Sequence, residues 1–141
     1  MAGRYGMSFA KKHIEDGDYD DAVRVTTEEI DAGTQRPETY VDRATALDLL
    51  ERWEEAASDF ERALELDKTE HEPTVEDVDD AYFSALASAA EAFAKRSVAD
   101  AVTVLNRYAA CLPEGRHLAD VLDWQKRIRG ELSTVVDRSK G

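Results

Sequence analysis

The chain has 141 residues, enough for one domain that buries roughly two-thirds of its unfolded surface. Its 31 acidic residues against 18 basic ones give a net charge of −13, which opposes nucleic acid and anionic membranes alike, since both need a basic face that releases counterions. The single cysteine, Cys111, excludes an internal disulfide, and with neither an apolar leader nor a membrane-length apolar run the expected location is cytoplasmic.

Abundant alanine with only 3 Pro and 7 Gly favours helix throughout. The first element covers residues 4–35, with Phe9, Ala10, Tyr19, Ala22 and Ile30 on inner faces. Between its two helices lies "EDGDYDDA", where Asp16, Asp18 and Asp20 alternate as in a calcium loop. Such a loop also needs a glycine at its sixth place and a glutamate at its twelfth. Counted from Asp16 those places hold Asp21 and Thr27, so no metal is expected. Gly17 instead suits the turn, Asp18 or Asp20 suits a side-chain cap on the next helix, and His13 falls on the buried stripe.

The second element covers residues 37–68 and repeats the first at a spacing of 34 residues. Tyr19 pairs with Trp53, Ala22 with Ala56, Thr26 with Phe60, Ile30 with Leu64, Ala10 with Ala44 and His13 with Leu47. With its helix, turn and second helix, "TYVDRATALDLLERWEEAASDFERALELDK" resembles the tetratricopeptide repeat family. Tyr40 takes the aromatic opening place, Ala44 the small one and Leu47 the large one, followed by Ala56, Phe60 and Ala63. Antiparallel helices approach closely only where small residues face each other, and large ones fill the holes beside them. Two places depart from the family: Arg43 stands where leucine is usual, and Lys68 where proline closes the repeat. Arg43 is expected to lay its aliphatic stem over the core and keep its head in water.

A third copy, residues 74–113, is displaced. Pro73, Thr74 and Asp77 resemble a helix start, and Val75, Val78, Tyr82, Ala85, Ala89 and Phe93 mark one amphipathic helix reaching about Arg96. Either Ala92 or Phe93 is its last core residue. The following helix carries Ala101 in the small place, Leu105 in the aromatic one, and Pro113 at its close. Ala101 follows Ala56 by 45 residues, 11 more than the period, which fits a lengthened first helix and connection. Over residues 115–136, Leu118, Val121, Leu122, Gln125, Ile128, Leu132 and Val135 form a last stripe that reads as a cap for the open end of the array. The expected fold is therefore all-α: a single domain over 1–141, an α-solenoid of about three such hairpins with a C-terminal capping helix.

Chemistry finds no foothold in these residues. The glycines form no phosphate loop, and His13, His71 and His117 share no metal-ligand spacing with one another or with Cys111, which reads as a small buried residue. No catalytic residue, cofactor or metal is expected. The resemblance implies a protein–protein adaptor whose first helices line a concave groove. The matching positions are Met7, Ser8, Lys11, Val41, Asp42, Thr45, Asp48, Leu86, Ala90 and Phe93. A groove of apolar residues and acids suits a protein or peptide segment with apolar anchors and some Lys or Arg. The alternative is a self-associating homodimer whose groove holds its own helix or another copy's. Some members of the family clamp a partner's terminal carboxylate with Lys, Asn and Arg. The places concerned hold Met7, Lys11, Asp42, Phe83 and Ala87 here, so acidic chaperone tails are not expected as ligands.

Overall fold

Apolar residues at three- and four-residue steps, in stretches poor in glycine and proline, satisfy both the propensity and the period of a helix. Every regular element among the described residues is one. A computed structural model describes residues 9–34, 36–70 and 75–140, with side chains over 10–34, 36–66 and 78–130. In chain order the helices are α1 (Phe9–Glu15), α2 (Tyr19–Asp31), α3 (Pro37–Leu49), α4 (Trp53–Glu70), α5 (Val75–Ala94), α6 (Val98–Cys111) and α7 (Leu118–Lys140). This is the all-α solenoid of helical hairpins with a closing helix that the sequence implied. Contacts divide the chain inside α5 into two compact units, Met1–Tyr82 and Phe83–Gly141. No helix among the described residues is long and apolar enough to cross a membrane.

In the first unit one turn geometry recurs three times. After α1 the Asp18 N–H donates to the His13 carbonyl at 2.7 Å, after α2 Thr34 to Glu29 at 3.2 Å, and after α3 Arg52 to Leu47 at 2.8 Å. Each bond spans five residues and needs a left-handed residue just before the donor, which glycine supplies without strain. Gly17 (φ +84°) and Gly33 (φ +103°) fill that place twice. The third time it falls to Glu51, at φ +61°, 34 residues after Gly17. Asp18 occupies the N-cap position of α2, yet its side chain makes no capping bond, contrary to expectation. Its ψ of 65° is set by the tight turn and lies outside the extended range from which a capping side chain reaches back to the helix. Asp20 and Asp21 sit in the first turn of α2, where negative charge meets the positive end of the helix dipole.

The core of this unit follows the repeat. α1 packs on α2, α2 on α3 and α3 on α4. Ala10, Ala44, Ala22 and Ala56 are all fully buried, each matching its partner one period away, and so are Thr26 and Phe60. The Thr26 hydroxyl fits this apolar place because it donates back to its own helix, 2.7 Å from the Ala22 carbonyl. Tyr82 is buried against Phe60, with ring centroids 6.5 Å apart, and donates its hydroxyl to Glu61 at 2.5 Å. His13, Tyr19, Ile30 and Trp53 are only half-buried, at the edge of the stripe to which the period assigned them.

Arg43 does not keep its head in water. Its guanidinium makes a two-bond pair with the buried carboxylate of Asp59, Nε and Nη2 donating at 2.7 and 2.8 Å, while Nη1 donates to Thr27 at 3.2 Å. Asp59 lies 16 residues away on α4, and its carboxylate needs a cation once α4 closes on α3. This hydrogen bond raises the Arg43 pKa further above its ordinary value.

In the second unit, Ser97 caps α6 by accepting from the Asp100 N–H at 3.1 Å. The preceding helix stops at Ala94, two residues short of the expected end, and Ala92 and Phe93 are both half-buried. The Pro73, Thr74 and Asp77 start lies outside the described side chains. α6 packs on α7. The amide of buried Gln125 reaches from α7 to the Val102 carbonyl at 3.0 Å and the Asn106 side chain at 2.7 Å, so this polar residue on an apolar stripe is satisfied. Val121 and Ile128 are buried beside it. Leu122 is not part of the stripe: it is 58% exposed. Cys111, expected inside, is half-buried.

Candidate functional site

Every position singled out on the first helices lies on α1, α3 or α5, apart from Met7 and Ser8, which lie outside the described residues. In the first unit, Val41, Thr45 and Asp48 follow one another at four and three residues along α3 and are half-exposed, while Ala44, Ala46 and Leu47 are buried. Thr45 donates its hydroxyl to the Val41 carbonyl at 2.8 Å. Val41 leans on the cluster of Tyr40, Ala63 and Leu66 and so serves the core as well. Burial holds the Asp48 carboxyl above the usual carboxylate range. Lys11 is exposed on α1.

Three of the expected positions are corrected. Asp42 is buried, and Leu86 and Ala90 on α5 have no exposed surface, so none offers atoms to a partner. The resemblance to the repeat family placed these residues on a groove face, and in this chain they are covered instead. Phe93 remains half-exposed, with the Arg96 guanidinium 6.0 Å from its ring centre.

The clamp positions are also filled by other work. Phe83 stacks face to face on His117, with centroids 4.5 Å apart and planes 4° from parallel, and meets Tyr108 edge-on at 5.9 Å. His117 is held in turn, its backbone N–H donating to the Tyr108 hydroxyl at 2.9 Å and its Nδ1 lying 2.7 Å from Asp120. Ala87 is buried.

Two clefts lie among the described residues. In the first unit a cavity of about 340 Å³ has the Arg43–Asp59 pair among its walls, with Thr27, Arg52, Glu55 and Ser58 around it. In the second unit a cleft of about 360 Å³ lies between the end of α5 and α7, lined by Glu91, Ala94, Lys95, Trp124, Arg127 and Ile128. Sequence reasoning missed this second cleft, since Trp124 sits one step off the stripe of Val121, Gln125 and Ile128. It also missed that the first turn gathers ligating atoms of His13, Asp18 and Asp21 within 4.8 Å of one another. Asp21 already faces a cation of the chain there, Arg24, at 3.7 Å.

The sequence profile of the tetratricopeptide repeat matches residues 37–70. Among solved structures, the chain is similar to the second TPR domain of human RPAP3 in complex with an HSP70 peptide, SGPTIEEVD. That match has a TM-score of 0.52 and 17% identity, over 85% of this chain and 88% of that one. It is similar to the first TPR of Spaghetti (RPAP3) bound to an HSP90 peptide, SRMEEVD, with a TM-score of 0.50 and 19% identity over 88% and 89%. A third likeness is to the TPR2B domain of yeast Sti1 in its pHsp70 complex, with a TM-score of 0.52 and 21% identity over 86% and 91%. At these identities the likeness establishes the fold. No curated protein matches the sequence.

Proposed function

We propose that this chain, whose residues 37–70 match the tetratricopeptide repeat, is a non-enzymatic adaptor of the cytoplasm that binds a segment of another protein. The observation that carries the reading is the division of α3 into a buried side and a half-exposed strip of Val41, Thr45 and Asp48. It is supported by peptide complexes among the folds the chain resembles. With Asp42 inside, a preference for basic residues in the partner rests on Asp48 alone, beside apolar contact with Val41. Nothing in the comparisons favours the self-associating alternative.

The adaptor does not read a terminal carboxylate. Of the five clamp positions, Asp42 and Ala87 are buried, Phe83 is stacked on His117, Met7 is apolar, and Lys11 alone is a cation. The peptide SGPTIEEVD is therefore expected to bind no better as a free acid than as a C-terminal amide. A calorimetric titration in which amidation weakens binding more than tenfold would overturn this.

A photo-crosslinking residue placed at Thr45 tests the reading as a whole, with exposed Glu28 on α2 as the control position. A partner captured from the native cell through Thr45 but not Glu28 supports it. Equal capture at both positions, or undiminished capture through position 45 after Asp48→Lys with helicity intact, refutes it.

A further inference from the structure

In the cleft between the end of α5 and α7, two cations without a carboxylate partner share a wall with an aromatic ring. Arg127 sits one turn after Trp124, its guanidinium 4.9 Å from the centre of the indole ring. Lys95 stands on the α5 side of the same cleft, and Ala94 and Ile128 supply apolar wall. Among the described residues neither Lys95 nor Arg127 makes an ion pair, although Glu91 on α5 lies four residues before Lys95. In a chain of 31 acids and 18 bases, unpaired cations at an aromatic wall run against the mean field.

The contact matters because it holds the guanidinium at the ring. A guanidinium lying over an indole gives its flat face to the ring and keeps its N–H edge free, and that edge matches a carboxylate with two bonds. A second cation, from the turn after α5, adds charge at the same cleft, and the indole with Ala94 gives a neighbouring apolar side chain a place to bury.

We infer that this cleft binds an acidic side chain of a partner peptide together with an adjacent apolar residue. The carboxylate lies between Arg127 and Lys95, and the apolar residue lies against Trp124 and Ala94. The inference rests on the reading that the chain is a peptide-binding module, and it assigns one end of that activity to α5 and α7. It does not use the positions at which the family clamps a terminal carboxylate, so an internal Asp or Glu suffices.

The test is titration of the ¹⁵N-labelled full chain with capped octapeptides, acetylated and amidated, observed at the indole N–H resonances of Trp53 and Trp124. The first probe alternates leucine and glutamate, the second replaces glutamate with lysine, and the third replaces leucine with alanine. The first is expected to move the Trp124 signal saturably and leave Trp53 in place. The third binds more weakly. The lysine peptide, although attracted by the net charge of −13, gives no saturable change at Trp124. Lys95→Ala and Arg127→Ala each weaken binding by about threefold or more, and Arg127→Lys does not restore it, because an ammonium keeps the charge and loses the fork. Both side chains are exposed, so the variants keep the fold.

A Trp124 resonance that stays still up to millimolar acidic peptide, or moves equally with the lysine peptide, overturns the inference. If the acidic peptide instead perturbs Lys11, Val41 and Thr45, this site is wrong and the adaptor reading stands. Saturation at Trp124 together with a failed Thr45 crosslink leaves this site standing and removes α3 from the binding surface.

Discussion

Replacing Arg43 by alanine exposes how the first unit is held together. Asp59 is 8% exposed and receives two bonds from a guanidinium that is itself 22% exposed, with a third bond running from Arg43 to Thr27. Removing one member of a fully buried pair costs about 3–5 kcal/mol, because the other charge is left without a partner. Here the cavity beside the pair, about 340 Å³, can admit water to the abandoned carboxylate, which lowers the expected loss to about 2–3 kcal/mol. For 141 residues the unfolding entropy is near 0.3 kcal/mol/K, so the midpoint should fall by about 7–10 °C. The double variant Arg43→Leu/Asp59→Leu removes both charges and restores the leucine usual in the family at the first position. It should lie within about 1 kcal/mol of the native chain, since a packed apolar pair replaces a buried ionic one at little net change. Urea and thermal unfolding of the two single variants and the double one, followed by far-UV circular dichroism, give the coupling energy directly. A loss below about 0.5 kcal/mol for Arg43→Ala, with no coupling to Asp59, would mean that the arginine head is solvated after all.

Three other outcomes follow from the geometry. Glu51 holds a left-handed conformation that Gly17 and Gly33 fill without strain, so Glu51→Gly should stabilise the fold by about 1 kcal/mol, read as a midpoint rise of about 3 °C. A loss of stability there would show that the Glu51 side chain contributes more than its backbone strain removes. Gly115 has no room for a methyl group, which would meet the Tyr108 ring at Cζ, 2.7 Å away, and its hydroxyl. Gly115→Ala should therefore cost about 2 kcal/mol in the same melt, part of it recovered by Tyr108→Phe, and a neutral result would refute the packing of this corner. Burial raises the folded pKa of Asp48 above that of the unfolded chain, so the folded state takes up its proton at higher pH. The burden of this carboxylate is then full above the raised value and fades as pH falls through it toward about 4. Asp48→Asn should be the more stable protein at pH 7 by a few tenths of a kcal/mol, a small figure because the group is half in water. That advantage should vanish in acid, and one that grew on acidification would contradict the sign.

The sequence alone was sufficient for the helices, their hairpins and most of the core. Ala10 with Ala44, Ala22 with Ala56, and Thr26 with Phe60 recur at one period and are buried alike, because the alanines let neighbouring helices approach and the larger residues fill the space beside them. Gly17 announced its turn for an equally local reason, a backbone angle that other residues adopt only under strain, whereas the matching role of Gly33 emerged from the structure. Residues on the flank of a stripe were decided elsewhere. Asp42, Leu86 and Ala90 passed inside when adjoining helices covered them, whereas Leu122 stayed in water and Trp124 came to line a cleft. Arg43 found its carboxylate on another helix, 16 residues on. A period of 3.6 residues states which side chains share a face, and only the closing of one helix on the next determines whether that face meets water, apolar atoms or an opposite charge.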